Sequence, residues 1–184
     1  RKNTMSFEIE NGVLEKCIPE SGETEAIIPD GVTSIGNQLK YENYKEQFRR
    51  LNRALASGFN LEAIFIEYAI IEDRTESVLR HAGQWEAYLK HRRKRDPSLE
   101  SKVNYIKKRA EEKKSLLHKY FSGDLLDEIL IWKDQRNRLI HALLKQQLAH
   151  NEVSILAAQG NELVKALRSR VSSFNRASEK AGAN

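Results

Sequence analysis

From residue 41 to about residue 176 the apolar side chains recur three and four positions apart, with isolated glycines at the ends of the runs. That spacing puts them on one face of an α-helix, so the chain predicts long amphipathic helices that must pack against one another. Tyr41, Tyr44, Phe48, Leu51 and Leu55 mark a first helix stopped near Ser57-Gly58. Leu61, Ile64, Phe65, Tyr68, Ile71, Thr75, Val78 and Leu79 mark a second, stopped by Gly83. A connector over 84–98 leads to a third helix, capped by Ser98 or Ser101 and running to Phe121. Asp124 caps a fourth that carries apolar residues to Leu148, and a fifth covers roughly 151–178. Short connections between long helices give antiparallel neighbours. The expected fold is therefore mainly α: an up-and-down antiparallel bundle of four to five helices.

The first 37 residues follow a different pattern. Phe7-Glu8-Ile9-Glu10 alternates apolar and polar residues, Asn11-Gly12 is hairpin-turn chemistry, and Val13 to Lys16 reads as the return strand. Ala26-Ile27-Ile28, before the turn Pro29-Asp30-Gly31, reads as a third short strand. The string from Phe7 to Gly36, with "NGVL" and "IIPDGVTSIG", resembles the opening repeat of leucine-rich repeats of the bacterial surface-protein type. The resemblance implies a small β-rich cap over 1–37 ahead of a helical domain over 38–184. It does not extend to an adhesive role, because a solenoid needs several stacked repeats and this string never recurs. Met5 is a candidate native start, with Arg1 to Thr4 ahead of it.

Charge divides along the same line. Residues 1–40 hold four Lys/Arg against seven Asp/Glu, a net of −3, so of the overall +5 the remaining 144 residues hold +8. A basic helical body points to an anionic partner, nucleic acid first. The single cysteine, Cys17, excludes an internal disulfide framework and a cysteine-based zinc site. The longest apolar stretch, Leu61 to Ile71, is broken by Glu62 and Glu67, so no membrane span or membrane partner is expected. With no secretory leader pattern visible, the expected location is the cytoplasm. The glycines form no phosphate-binding loop, and the histidines at 81, 91, 118, 141 and 150 lack His-x-x-x-His spacing. No metal and no cofactor is expected.

One segment departs from ordinary helix patterning. In Trp132 to Ala142, Lys133, Asn137 and His141 follow one another at four-residue intervals, and Arg136 borders that stripe about 100° away. Lys, Asn and His in one line must meet water, a partner or a ligand. "RNRLIHALL", with Arg136, Asn137 and His141 in the order R-N-x-x-x-H, resembles the signature of the HEPN (higher eukaryote and prokaryote nucleotide-binding) family. The resemblance covers the helical body, and only this short motif is specific to the family.

That resemblance implies a four-helix-bundle domain and a metal-independent endoribonuclease of toxin–antitoxin or phage-defence systems. It implies RNA as substrate, a homodimer that joins two motifs in one cleft, and an antitoxin or regulatory protein as a further partner. Cleavage without a metal proceeds by attack of the 2′-hydroxyl on the adjacent phosphorus. Imidazole is the side chain best suited to move the proton near neutral pH, which assigns His141 as general acid/base. A guanidinium fork matches phosphate oxygens, which assigns Arg136 to the extra negative charge of the transition state. Asn137 positions the phosphate or the imidazole. One chain supplies one such histidine, so acid and base together require two chains.

The family pattern adds an acidic residue from the second helix, for which Glu67, Glu72 and Asp73 are the candidates. Lys133 and the basic run Arg92, Arg93, Lys94 and Arg95 are candidate RNA contacts. Trp85 and Tyr88 could stack on bases, although packing against the bundle is the stronger expectation. The alternative reading of the whole domain is a non-catalytic HEPN-like nucleotide-binding or protein-interaction module.

Overall fold

The computed structural model describes residues 33–91, 97–143, 145 and 150–182. The three strands expected before residue 29 lie outside these residues. The chain separates into two units, Arg1–Lys40 and Tyr41–Asn184, and the packing described below is that of the second. Seven helices, and no strand, occur among the described residues: α1 Thr33–Ala56, α2 Asn60–His81, α3 Trp85–His91, α4 Leu99–Ala110, α5 Leu116–Phe121, α6 Leu125–Ala142 and α7 His150–Gly182. Helix α1 opens at Thr33, several residues ahead of the expected switch after residue 40.

The expected glycine stops at the ends of α1 and α2 are present. Gly58 and Gly83 take φ of +73° and +65°, a left-handed conformation that a side chain penalises. The amides just beyond them turn back into the helix, Phe59 N–H to the Ala54 carbonyl and Gln84 N–H to the Leu79 carbonyl, both at 2.8 Å.

Three boundaries differ from expectation. Part of the connector folds into α3, which buries Tyr88 and joins its hydroxyl to Ser101 Oγ at 2.6 Å. Trp85 lies beside Tyr88 and under the Arg80 guanidinium, so both aromatics pack within the bundle. The third helix breaks after Ala110. Ser115 Oγ caps α5 by accepting the His118 amide at 3.0 Å, while His118 Nδ1 bonds the freed Ala110 carbonyl at 2.7 Å. After the break Phe121 lies edge-on to Phe174 of α7. Helix α6 ends at Ala142, short of the expected Leu148. Of the two candidate caps for α4, Ser98 is used, in a reciprocal box with Ser101.

Side-chain pairs give the helix directions. Arg50 meets Glu62, and Arg74 lies over Tyr44, so α1 and α2 are antiparallel. Lys102 meets Glu72 and Glu76, while Gln84, just past α2, meets Arg109. Helices α2 and α4 thus run the same way, with α3 as the return leg. Lys133 meets Glu100 and Lys107 meets Asp127, so α6 opposes α4. The indole N–H of Trp132 donates to the Leu156 carbonyl at 2.9 Å inside the core between α6 and α7. Leu51, Ile64, Ile71, Leu79, Leu99, Ile106, Ile129 and Leu167, drawn from α1, α2, α4, α6 and α7, are fully buried, each contributing about 1.5–3 kcal/mol by leaving water.

Helices α2 and α7 share the largest interface among the described helices, and Gly160 of α7 faces Glu67 of α2 across it. A Cβ on Gly160 would lie 2.7 Å from both Glu67 Cδ and Trp132 Cζ2, so only glycine fits.

Candidate functional site

Arg136 leaves α6 towards α2 and lays its guanidinium beside two aromatic rings, 4.6 Å from the centroid of Tyr68 and 5.1 Å from that of Phe65. The two rings are three residues apart on α2 and therefore share a face. A cation over an aromatic face gains about 0.5–2 kcal/mol per contact, so the pair holds the guanidinium in place. Its Nη1 donates to Asn137 Oδ1 at 3.1 Å. Its Nε is sealed from solvent with no acceptor. Nη2 is neither sealed nor partnered among the described residues, which leaves its N–H donors for an incoming acceptor. Arg136 pairs with neither Asp134 nor Glu128.

Tyr68 carries a hydroxyl whose pKa is raised, by burial first and by the Glu72 carboxylate second, against the opposing charges of Arg136 and Lys133. Asn137 is half-buried, and His141, one turn on, is exposed with no hydrogen bond among the described residues. Arg136 and His141, five residues apart, point about 140° from each other. Asn137 stands between them and ties to Arg136. The motif is thus a ridge: a braced cation on one flank and a free imidazole on the other.

Lys133 is not part of the open ridge. It is buried, with its ammonium 2.6 Å from Glu100 and 2.9 Å from Asp134. Burial pulls its pKa down, but the hydrogen bonds to Glu100 and Asp134 outweigh that pull and raise it. Its charge is already matched within the chain. The three acidic candidates scatter. Glu72 shares the buried Lys102 with Glu76, and Asp73 pairs with Arg74. Glu67 turns inward, fully buried, with neither carboxylate oxygen hydrogen-bonded, and burial pushes its pKa from the ordinary 4.5 up to about 8. None of the three is bonded to Arg136 or His141. Arg92, Arg93, Lys94 and Arg95 lie outside the described residues.

Phe65 and Tyr68 were expected on the core-facing stripe of α2. Phe65 is 48% exposed, although its neighbours Ile64 and Ile66 are buried. The available signal was the aromatic pair at three-residue spacing, which sequence alone assigns to the core as readily as to a cation. On the far side of α6, two adjoining cavities of 420 and 660 Å3 follow the α6–α7 seam and share Gln135 and Gln159, with Ile131 and Ile155 exposed along them.

Among the described residues no three His, Cys, Asp or Glu side chains gather to hold a metal ion, and no helix is long and apolar enough to cross a membrane. Comparison with known protein families, curated proteins and solved structures finds no match to this chain.

Proposed function

We propose that this chain is a HEPN-type, metal-independent endoribonuclease that works as a homodimer in the cytoplasm, within a toxin–antitoxin or phage-defence system. The observation that carries the reading is the arrangement of Arg136, stacked on Phe65 and Tyr68, with Nη2 donors open, and bonded to Asn137, which stands one turn before the exposed His141.

In this reading a phosphodiester lies on the ridge with a non-bridging oxygen at Arg136. His141 of one chain takes the proton from the 2′-hydroxyl as that oxygen attacks phosphorus. The P–O5′ bond breaks, and His141 of the second chain protonates the leaving oxygen. The products are a 2′,3′-cyclic phosphate and a 5′-hydroxyl. Arg136 offsets the charge gained by the pentacoordinate phosphorus, and its aromatic brace places that charge before substrate arrives. The basic run 92–95 adds phosphate contacts, and an antitoxin or regulatory protein would act by covering the ridge.

The test is cleavage of labelled RNA in EDTA by the wild type, His141→Ala and Arg136→Ala. Cleavage by the wild type to 5′-hydroxyl ends, lowered about 10²- to 10⁴-fold in either variant, is the expected result. Equal cleavage by wild type and His141→Ala would refute the assignment. The second reading, a non-catalytic nucleotide-binding or interaction module, draws on the His141 ring having no orienting partner among the described residues. It expects RNA to remain intact while Arg136→Ala weakens binding.

A further inference from the structure

We propose that Phe65 is a base-stacking platform, holding an unpaired nucleobase of the bound strand beside the phosphate that Arg136 grips. The inference rests on RNA as the ligand of this site and names the residue that would read its base.

Three observations meet at this ring. Phe65 stands 48% exposed in the middle of α2, with Ile64 and Ile66 buried on either side of it. Beyond its contact with Arg136, the ring leaves apolar area in water. The guanidinium of Arg136 lies over the ring, 5.1 Å from its centroid, so cation and flat apolar surface are held together. Tyr68 and Asn137 hold the guanidinium from two further sides while Nη2 stays open.

A flat ring beside an open cation matches the two halves of a nucleotide, a π-face and a phosphate. The alternative occupant, an apolar protein surface, fits less well. Covering Phe65 with aliphatic side chains would bury the adjacent guanidinium without an acceptor, which is costly for a charged donor. A phosphodiester supplies that acceptor and its base covers the ring. The base must be unstacked to reach Phe65, so the ligand is single-stranded rather than duplex RNA.

The experiment is a fluorescence-anisotropy titration of the full chain with a labelled single-stranded oligonucleotide carrying 2′-O-methyl sugars, which bind but cannot attack. Wild type, Phe65→Ala, Phe65→Leu and Phe65→Trp are compared on this probe and on a matched probe with abasic positions. Stacking on an aromatic predicts about 5- to 150-fold weaker binding for Phe65→Ala. Phe65→Leu, which keeps bulk but not the π-face, should behave like Phe65→Ala, and Phe65→Trp should bind as wild type does. On the abasic probe the loss in Phe65→Ala should shrink to the part that comes from loosening Arg136. Equal affinities of wild type and Phe65→Ala on the intact probe would overturn the proposal, as would an equal loss on both probes. A change of oligomeric mass in Phe65→Ala with unchanged probe binding would overturn it in favour of a protein contact. Wild-type binding that depends on Phe65, with ordinary RNA left uncut, would keep the platform and refute the nuclease. Wild type that binds no probe would refute both.

Discussion

Replacing Glu67 by glutamine is expected to remove a pH-dependent weakness built into the α2–α7 interface. The carboxyl is fully buried, no hydrogen bond reaches either oxygen, and burial raises its pKa from 4.5 to about 8. Below pH 4.5 the group is protonated in both the folded and the unfolded chain and contributes no pH dependence. Between pH 4.5 and 8 the unfolded chain releases the proton while the folded chain retains it, so stability falls as pH rises. Above pH 8 both states are ionised and the loss is complete. Each pH unit in that window is worth about 1.4 kcal/mol, so about 4 kcal/mol disappears between pH 5 and pH 8. That is a large fraction of the 5–15 kcal/mol that holds a typical domain together. Glutamine has nearly the same shape and cannot ionise. Urea denaturation of wild type and Glu67→Gln at pH 5, 6, 7 and 8 tests this, because other titrating groups cancel in the difference between the two proteins. The variant should gain about 4 kcal/mol on the wild type across the series. A difference that stays constant with pH would refute the reasoning and mean that Glu67 titrates as an ordinary carboxylate.

Gly160→Ala should destabilise by about 1–3 kcal/mol in thermal unfolding despite alanine's better helix propensity, because its Cβ would meet Glu67 and Trp132. Adding Glu67→Ala should recover only the part of that loss that comes from Glu67, because the contact with Trp132 Cζ2 remains. Gly83→Ala should cost about 1 kcal/mol through its positive φ alone, since open space surrounds the position, and Gly83→Asn should cost less. A melting temperature unchanged in Gly83→Ala would contradict this. Trp132→Phe removes the bond to the Leu156 carbonyl and should cost about 1–3 kcal/mol in urea titrations, with the α6–α7 contact loosened before the rest in amide exchange.

Much of this molecule follows from local rules. The three-to-four spacing on α1, α2, α6 and α7, the glycine stops at 58 and 83, and the cap at Ser98 are short-range effects of helix geometry and of unsatisfied helix-end amides. For the same reason the sequence alone puts Asn137 and His141 one turn apart and Arg136 beside them. The break at Ala110 was not legible, because nothing in Glu111 to Ser115 forbids a helix. Beyond it Phe121 packs edge-on against Phe174, a residue more than fifty positions away.

Which rim of each amphipathic stripe is covered was decided only in three dimensions. Glu67, Phe65 and Lys133 each sit at the edge of a helical face, and a one-dimensional pattern assigns such positions either way. Packing reversed the ordinary preference at all three. Gly160 left room that drew the carboxyl of Glu67 inside, Arg136 settled over Phe65 without covering it, and Glu100 with Asp134 took up the charge of Lys133. Periodicity is a property of one helix about its own axis. Burial and charge pairing depend on the neighbour that arrives and on how closely its backbone can approach.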